Sequence, residues 1–157
     1  MRYIADWSTP DRKRLIVLAP QALKVFWKHR QRFFWQAEAG GVLLGKRRGK
    51  HIEVVLASEP MPADRREQFF FERNVEGHLP FAKAAWRAGH FAVDYVGEWH
   101  THPQRLPLPS SIDRAEWRKL AAARPPTSPL LTIVVGTAAL HAELLLGSAE
   151  TELVPLL

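Results

Sequence analysis

The chain contains no cysteine. Disulfides and thiolate chemistry are therefore excluded, and any metal site must be built from His, Asp, Glu or water. A long apolar run is also missing. The longest apolar region, "PLLTIVVGTAALHAELLLG", is interrupted by Gly136, His141, Glu143 and Gly147, so it reads as two strands rather than a membrane span. The N-terminal stretch "MRYIADWSTPDRKR" has no apolar signal core and carries Asp6 and Asp11 early, which argues against secretion and for a cytoplasmic protein. There is no internal repeat, no low-complexity segment and no zinc-finger spacing or other nucleic-acid module.

What remains is an ordinary globular composition. The 157 residues are 46% hydrophobic and 24% charged, which suits one domain, 1–157, with a core of its own. The formal net charge is +6. Much of the excess sits in Lys24, Lys28, Arg30 and Arg32 and in Lys46, Arg47, Arg48 and Lys50. Such a face could meet nucleic acid or an acidic partner. The plainer reading is a solvated helix face and a hairpin turn.

Periodicity gives a mixed order of elements. "RLIVLAP" predicts a strand. "PQALKVFWKHRQRFFWQAE" predicts a helix with Pro20 in its first turn, because Leu23, Phe26, Trp27, Phe33 and Phe34 recur at helical spacing. "EAGGVLLGKRRGKHIEVVLASEP" predicts two strands and a tight basic turn, punctuated by Gly45 and Gly49. "MPADRRE" reads as a polar loop and "QFFFERN" as a strand with Phe69 and Phe71 facing the core. "HLPFAKAAWRAGH" reads as a helix with Phe81, Ala85 and Trp86 on one side, closed by Gly89. "FAVDYVGEWHTH" is the next strand, and the prolines of "PQRLPLP" enforce a loop. "SSIDRAEWRKLAAAR" is a helix, followed by strands in "LLTIVVGT", "LHAELLL" and "TELVPLL". Trp99 and Trp117 read as core. The pattern implies a mixed sheet flanked by helices, an α/β fold.

"GEWHTHPQRLPLPSSID" holds the candidate chemistry. In a strand, His100 and His102 point the same way, with Thr101 opposite. Two imidazoles on one face can bind one divalent ion, and Asp113, in the first turn of the following helix, could be a third ligand. Three protein ligands and one open position describe a catalytic zinc site. Ser110 and Asp113 also form a variant helix capping box, a device with no chemistry of its own. A water activated at such a site needs a carboxylate to accept its proton. Glu38 and Glu98 are both candidates. Glu98 shares the histidine face, and Glu38 precedes the Gly40–Gly41 pair. Spacing does not choose between them.

Taken together, "EAGGVLLG", "GEWHTHP", Ser110 and Asp113 resemble the JAMM (JAB1/MPN/Mov34) metallopeptidases. That family shows an upstream Glu, then His-x-His, seven residues, Ser, two residues and Asp. The resemblance implies a three-layer α-β-α fold like that of cytidine deaminases, with zinc on His100, His102 and Asp113. It makes Glu38 the general acid/base and Ser110 the oxyanion donor. The implied activity is peptide or isopeptide hydrolysis after the C-terminal glycine of a ubiquitin-like protein or its conjugate. The wording "YVGEWHTHP…P.PSS.D…W" looks closest to a bacterial branch encoded beside ubiquitin-like activating and conjugating enzymes, including the deconjugating peptidases of CBASS anti-phage operons. The alternatives are a processing protease that matures a ubiquitin-like or sulfur-carrier precursor, and a non-catalytic scaffold of the same fold. Nucleic-acid binding rests on charge alone.

Overall fold

The computed structural model describes residues 3–67, 70–73, 75–89 and 92–157. The strands are β1 (Asp6–Ser8), β2 (Leu15–Leu18), β3 (Gly40–Arg48), β4 (His51–Ala57), β5 (Arg65–Glu67), β6 (Phe70–Glu72), β7 (Asp94–Thr101), β8 (Leu130–Val135), β9 (Leu140–Leu146), β10 (Ala149–Glu152) and β11 (Val154–Pro155). The helices are α1 (Pro20–His29), α2 (Val75–Ala88) and α3 (Ser111–Ala122). One sheet runs in the order β10-β9-β8-β7-β3-β4-β2-β1-β11, and β5 and β6 form a separate hairpin. The β2–β4 and β7–β8 pairs are parallel and the others antiparallel, so the sheet is mixed, as the alternation of elements predicts.

Helices cover both faces of the sheet. Ala22, Val25 and Phe26 of α1 join Leu43, Val54, Val96, Trp99 and Ile133 in the larger core. On the opposite face, Trp117 and Ala121 of α3 pack on Leu130, Val134 and Leu145. Ala85 of α2 packs on Val42, Leu44 and Val93. The result is the three-layer α/β architecture. Trp99 and Trp117 are core residues, as expected.

The central strand carries a bulge. Leu43 pairs with Gly97 but Leu44 pairs with Tyr95, which leaves Val96 as the extra residue. Tyr95, Glu98 and His100 therefore share the face toward α2 and α3, while Val96, Trp99 and Thr101 face the other way. Gly97 is required here: a Cβ would sit 1.8 Å from the Leu131 carbonyl oxygen.

Several expectations need correction. The helix predicted through residue 38 stops at His29, because Arg30 is extended (φ −56°, ψ 141°) and Gln31 turns inward. Phe33 and Phe34 consequently lie on an exposed loop. Gly45 lies within β3 rather than ending a strand, and the turn is made at Gly49 (φ 61°). Arg65–Glu67, read as loop, pairs with β6. Helix α2 starts at Val75, before the predicted segment, and its Trp86 is exposed. "TELVPLL" is split into β10 and β11 at the buried Leu153. Strand β1 is an addition that its short, polar-flanked sequence did not signal. Gln68, Phe69 and Phe91 lie outside the described residues. Phe71 lies against Gly40, where an added Cβ would be 2.6 Å from its ring.

Candidate metal centre

His100 and His102 stand at the end of β7. His102 continues the strand geometry, since its N–H donates to the Val135 carbonyl (3.0 Å). Thr101, on the opposite face, anchors the strand to the segment before β3. Its hydroxyl accepts from Ala39 N–H (2.9 Å) and donates to Gln31 Oε1 (2.8 Å), and its N–H donates to the Ala39 carbonyl (2.8 Å). The residue before Ala39 is Glu38. Its backbone is held by Glu67, whose carbonyl accepts from Glu38 N–H (2.7 Å), and by Arg66, whose Nε donates to the Glu38 carbonyl (2.8 Å).

Helix α3 brings in the third element. Ser110 is its N-cap and Asp113 its third residue, in a complete capping box. Asp113 N–H donates to Ser110 Oγ (3.1 Å), and Ser110 N–H donates to Asp113 Oδ2 (2.7 Å). The cap orients the Asp113 carboxylate back toward β7, so capping the helix does not stop Asp113 from being a candidate ligand.

Three atoms converge. His100 Nε2, His102 Nε2 and Asp113 Oδ2 are mutually 3.2 Å apart. A tetrahedral zinc with ligand bonds of about 2.0–2.1 Å separates its ligand atoms by about 3.3–3.4 Å, so this triangle has the size of one tetrahedral face. Glu38 Oε1 lies 3.6 Å from His102 Nε2, just outside the triangle. Glu38, His100 and His102 also offer atoms within 4.8 Å of one another, so Glu38 borders the same point. The closer contacts favour Asp113 as the third ligand. The donor chemistry agrees. His102 Nδ1 lies 2.9 Å from the Leu108 carbonyl, an acceptor, so Nδ1 carries a proton; Nε2 is then the atom that donates to Asp113 when the ring is charged and offers a lone pair to a metal when it is neutral.

Electrostatics of the protein groups alone separate the two carboxylates. Burial raises the Asp113 pKa, but hydrogen bonds from His100 and His102 outweigh it and hold the carboxyl well below the usual carboxylate range. Burial pushes the Glu38 carboxyl up to about 8, despite the opposing pull of His102. Burial lowers the His102 pKa, but the hydrogen bond and charge of Asp113, with Glu38 and the Leu108 carbonyl, together outweigh it and the net shift is upward. One carboxyl held ionised beside another whose proton affinity is raised toward neutral pH is the division of labour seen in acid/base sites.

Glu98 is engaged elsewhere. Arg73 Nε donates to both its oxygens (2.8 and 3.0 Å) and the Tyr95 hydroxyl donates to Oε1 (2.7 Å). It shares the histidine face but points toward α2. Three residues near the start of α3 escaped the sequence reading. Arg114, next to Asp113, reaches the buried Glu143 of β9 with both guanidinium ends (3.0 and 2.9 Å), and His141 Nε2 lies 2.7 Å from the same carboxylate. This clamp fixes the start of α3 on the sheet. Nothing in an isolated Arg and a strand Glu signals it.

A mixed-sheet α/β fold with a His–His–Asp cluster at the end of a central strand defines a candidate metallohydrolase. The chain belongs to the family of prokaryotic homologs of the JAB domain, whose match covers residues 20–147. A relative from Pseudomonas aeruginosa, named CD-NTase/cGAS isopeptidase, is 38% identical over 150 residues, covering 96% of this chain and 95% of the relative. A Vibrio cholerae relative of the same name is 32% identical over 140 residues, with 89% and 85% covered. The solution structure of protein DSY2949 from Desulfitobacterium hafniense shares the fold, with a TM-score of 0.63 at 22% identity over 87% of this chain and 88% of that one. Among the described residues, no helix is long and apolar enough to cross a membrane. Family and relatives together mark the chain as a hydrolase.

Proposed function

We propose that this protein is a zinc-dependent isopeptidase that removes a conjugated protein within a CBASS anti-phage system. The observation that carries the reading is the 3.2 Å triangle of His100, His102 and Asp113 with the Glu38 carboxylate beside it. The relatives' names favour a CD-NTase as one member of the conjugate, where the motif alone suggested a ubiquitin-like protein. The two share chemistry: an extended tail, ending in glycine in the ubiquitin-like case, whose carboxyl is joined to a lysine amine. We take the CD-NTase tail to be the acyl side.

His100, His102 and Asp113 would hold the zinc. When bound, the ion supplies Lewis-acid polarisation of the scissile carbonyl and makes a water acidic near neutral pH. Glu38 accepts the water's proton and delivers it to the departing lysine Nζ. Its burial suits a group that must both take and release a proton. Ser110 Oγ already accepts from Asp113 N–H, which leaves its own hydroxyl hydrogen to donate to the oxyanion. The β5–β6 hairpin, whose Glu67 carbonyl holds Glu38, supplies a strand beside which an extended tail can lie.

The test is cleavage of a CD-NTase joined through its tail to a lysine of a carrier protein, with and without a chelator. Glu38→Gln should keep its zinc and lose about 100- to 10,000-fold in rate. Glu98→Gln should lose far less, since that carboxylate is spent on Arg73 and Tyr95. Chelator-resistant cleavage would overturn the zinc requirement, and the reverse ranking of the two variants would overturn the choice of base. Precursor processing uses the same residues, and a fusion with an ordinary peptide bond at the same junction distinguishes it.

A further inference from the structure

The loop between α1 and β3 carries three large rings in solvent. Phe33, Phe34 and Trp35 are 50%, 69% and 64% exposed. Phe33 stacks on Trp35 (centroids 4.7 Å, planes 7° apart) and Phe34 meets Trp35 edge-on (5.3 Å). The cluster buries little on its own chain, yet it is held in shape. Phe33 N–H donates to Gln36 Oε1 (2.9 Å), Gln36 N–H donates to the Phe33 carbonyl (3.1 Å), and Gln31 Nε2 donates to the Gln36 carbonyl (2.8 Å). Buried Gln31 in turn accepts from Thr101, the residue between the two histidines. A contiguous apolar protrusion fixed by polar bonds at its base is a binding surface rather than a frayed loop.

Its position identifies the occupant. Trp35 is three residues before Glu38, so the two Cα atoms are at most about 11 Å apart. Across the cluster, Leu106 and Leu108 are exposed on the loop whose Leu108 carbonyl orients His102, and exposed Ile112 adjoins Asp113. The bond cut at Glu38 lies beside these side chains. The β5–β6 hairpin proposed to hold the tail bonds directly to Glu38, in the segment that carries the rings, so the acyl-side protein is the partner brought to them. Exposed Arg32 next to the rings and exposed Arg66 at the Glu38 carbonyl give the surface a cationic edge.

We propose that Phe33, Phe34 and Trp35 form a docking platform for the folded body of the acyl-side protein, which meets it with an apolar patch edged by carboxylates. This rests on the isopeptidase reading of the same site, and it adds a recognition step separate from the chemistry. The rings contribute to KM for the whole conjugate and not to turnover of the tail alone.

The experiment compares two substrates. One is the CD-NTase joined through its tail to a carrier lysine, and the other is a short peptide of the same tail ending in a fluorogenic amide. In the Phe34→Ser/Trp35→Ser double variant, KM for the conjugate should rise about tenfold or more, with kcat within about twofold. The peptide's kcat/KM should stay within about twofold. A parallel titration measures binding of the unconjugated CD-NTase to the Glu38→Gln protein with and without the two serines, and should show a similar fall in affinity. Unchanged KM and unchanged binding would overturn the platform, as would equal losses on both substrates. If the wild type cleaves neither substrate, the isopeptidase reading itself has failed.

Discussion

At the scale of single residues, two carboxylates in one small volume have opposite protonation behaviour, and this has a consequence for stability. Glu38 titrates at about 8 in the folded, metal-stripped protein, against an ordinary 4.5. Between those values the unfolded chain has released its proton and the folded one has not, so stability falls as pH rises. His102 acts with the same sign. Its raised folded pKa gives stability that is full below the ordinary 6.5 and is lost as pH rises through the folded value. Asp113 acts oppositely, with stability present above its ordinary 3.8 and lost only in acid. Chelator-treated protein should therefore melt at a lower temperature at pH 8 than at pH 5. Glu38→Gln should flatten that slope, as read by thermal unfolding across the range. Identical slopes in the two proteins would contradict the burial argument for Glu38.

At the scale of elements, Asp113, the proposed third ligand, is only as well placed as α3. The helix is held by Trp117 in the core, by the Ser110–Asp113 cap and by the Arg114–Glu143 clamp. Burial raises the Glu143 pKa, but His141 and Arg114 outweigh it, so the carboxylate stays ionised and the clamp intact at neutral pH. Arg114→Met or Glu143→Gln should weaken zinc retention by about 10- to 100-fold in a chelator competition, as outer partners of metal sites commonly do. Arg114→Lys should recover part of it. Unchanged affinity in Arg114→Met would show that cap and core alone place Asp113. Much of this scale was legible in the sequence. Apolar runs bounded by turn residues signalled β3, β4, β7, β8 and β9, and Ser110-x-x-Asp113 signalled the start of α3. What misled was the aromatic run after α1. Phe33 and Phe34 fit a helical repeat, but the bonds made by Gln31 to Thr101 and Gln36 are long-range or loop-specific and leave no periodic trace. The Val96 bulge was equally invisible, because it depends on which residue of β3 faces it.

At the scale of the whole molecule, pairing leaves the net charge of +6 unchanged but engages part of the basic surface. Many cations are already paired: Lys28 with Glu59, Arg48 with Glu53, Arg73 with Glu98, Arg118 with Glu150 and Lys119 with Glu116. The basic turn between β3 and β4 is a solvated hairpin end rather than a groove. A gel-shift titration with duplex DNA at about 150 mM salt should show no specific complex, and only weak binding that fades steeply as salt rises. A salt-resistant complex would revive the nucleic-acid reading. The order of the site residues along the chain was legible as a motif, and strand alternation already put His100 and His102 on one face, but the approach of Glu38 to them was not legible from spacing. It depends on β7 lying beside β3, a pairing set by the whole topology.

The account stands on one cluster holding one ion. The most direct measurement is elemental analysis of the purified protein and of its His100→Ala, Asp113→Ala and Glu38→Gln variants. The account predicts about one zinc per chain in the wild type and in Glu38→Gln, and a loss of most of it in the other two. Stoichiometric zinc in His100→Ala and Asp113→Ala, or its loss in Glu38→Gln alone, would contradict it.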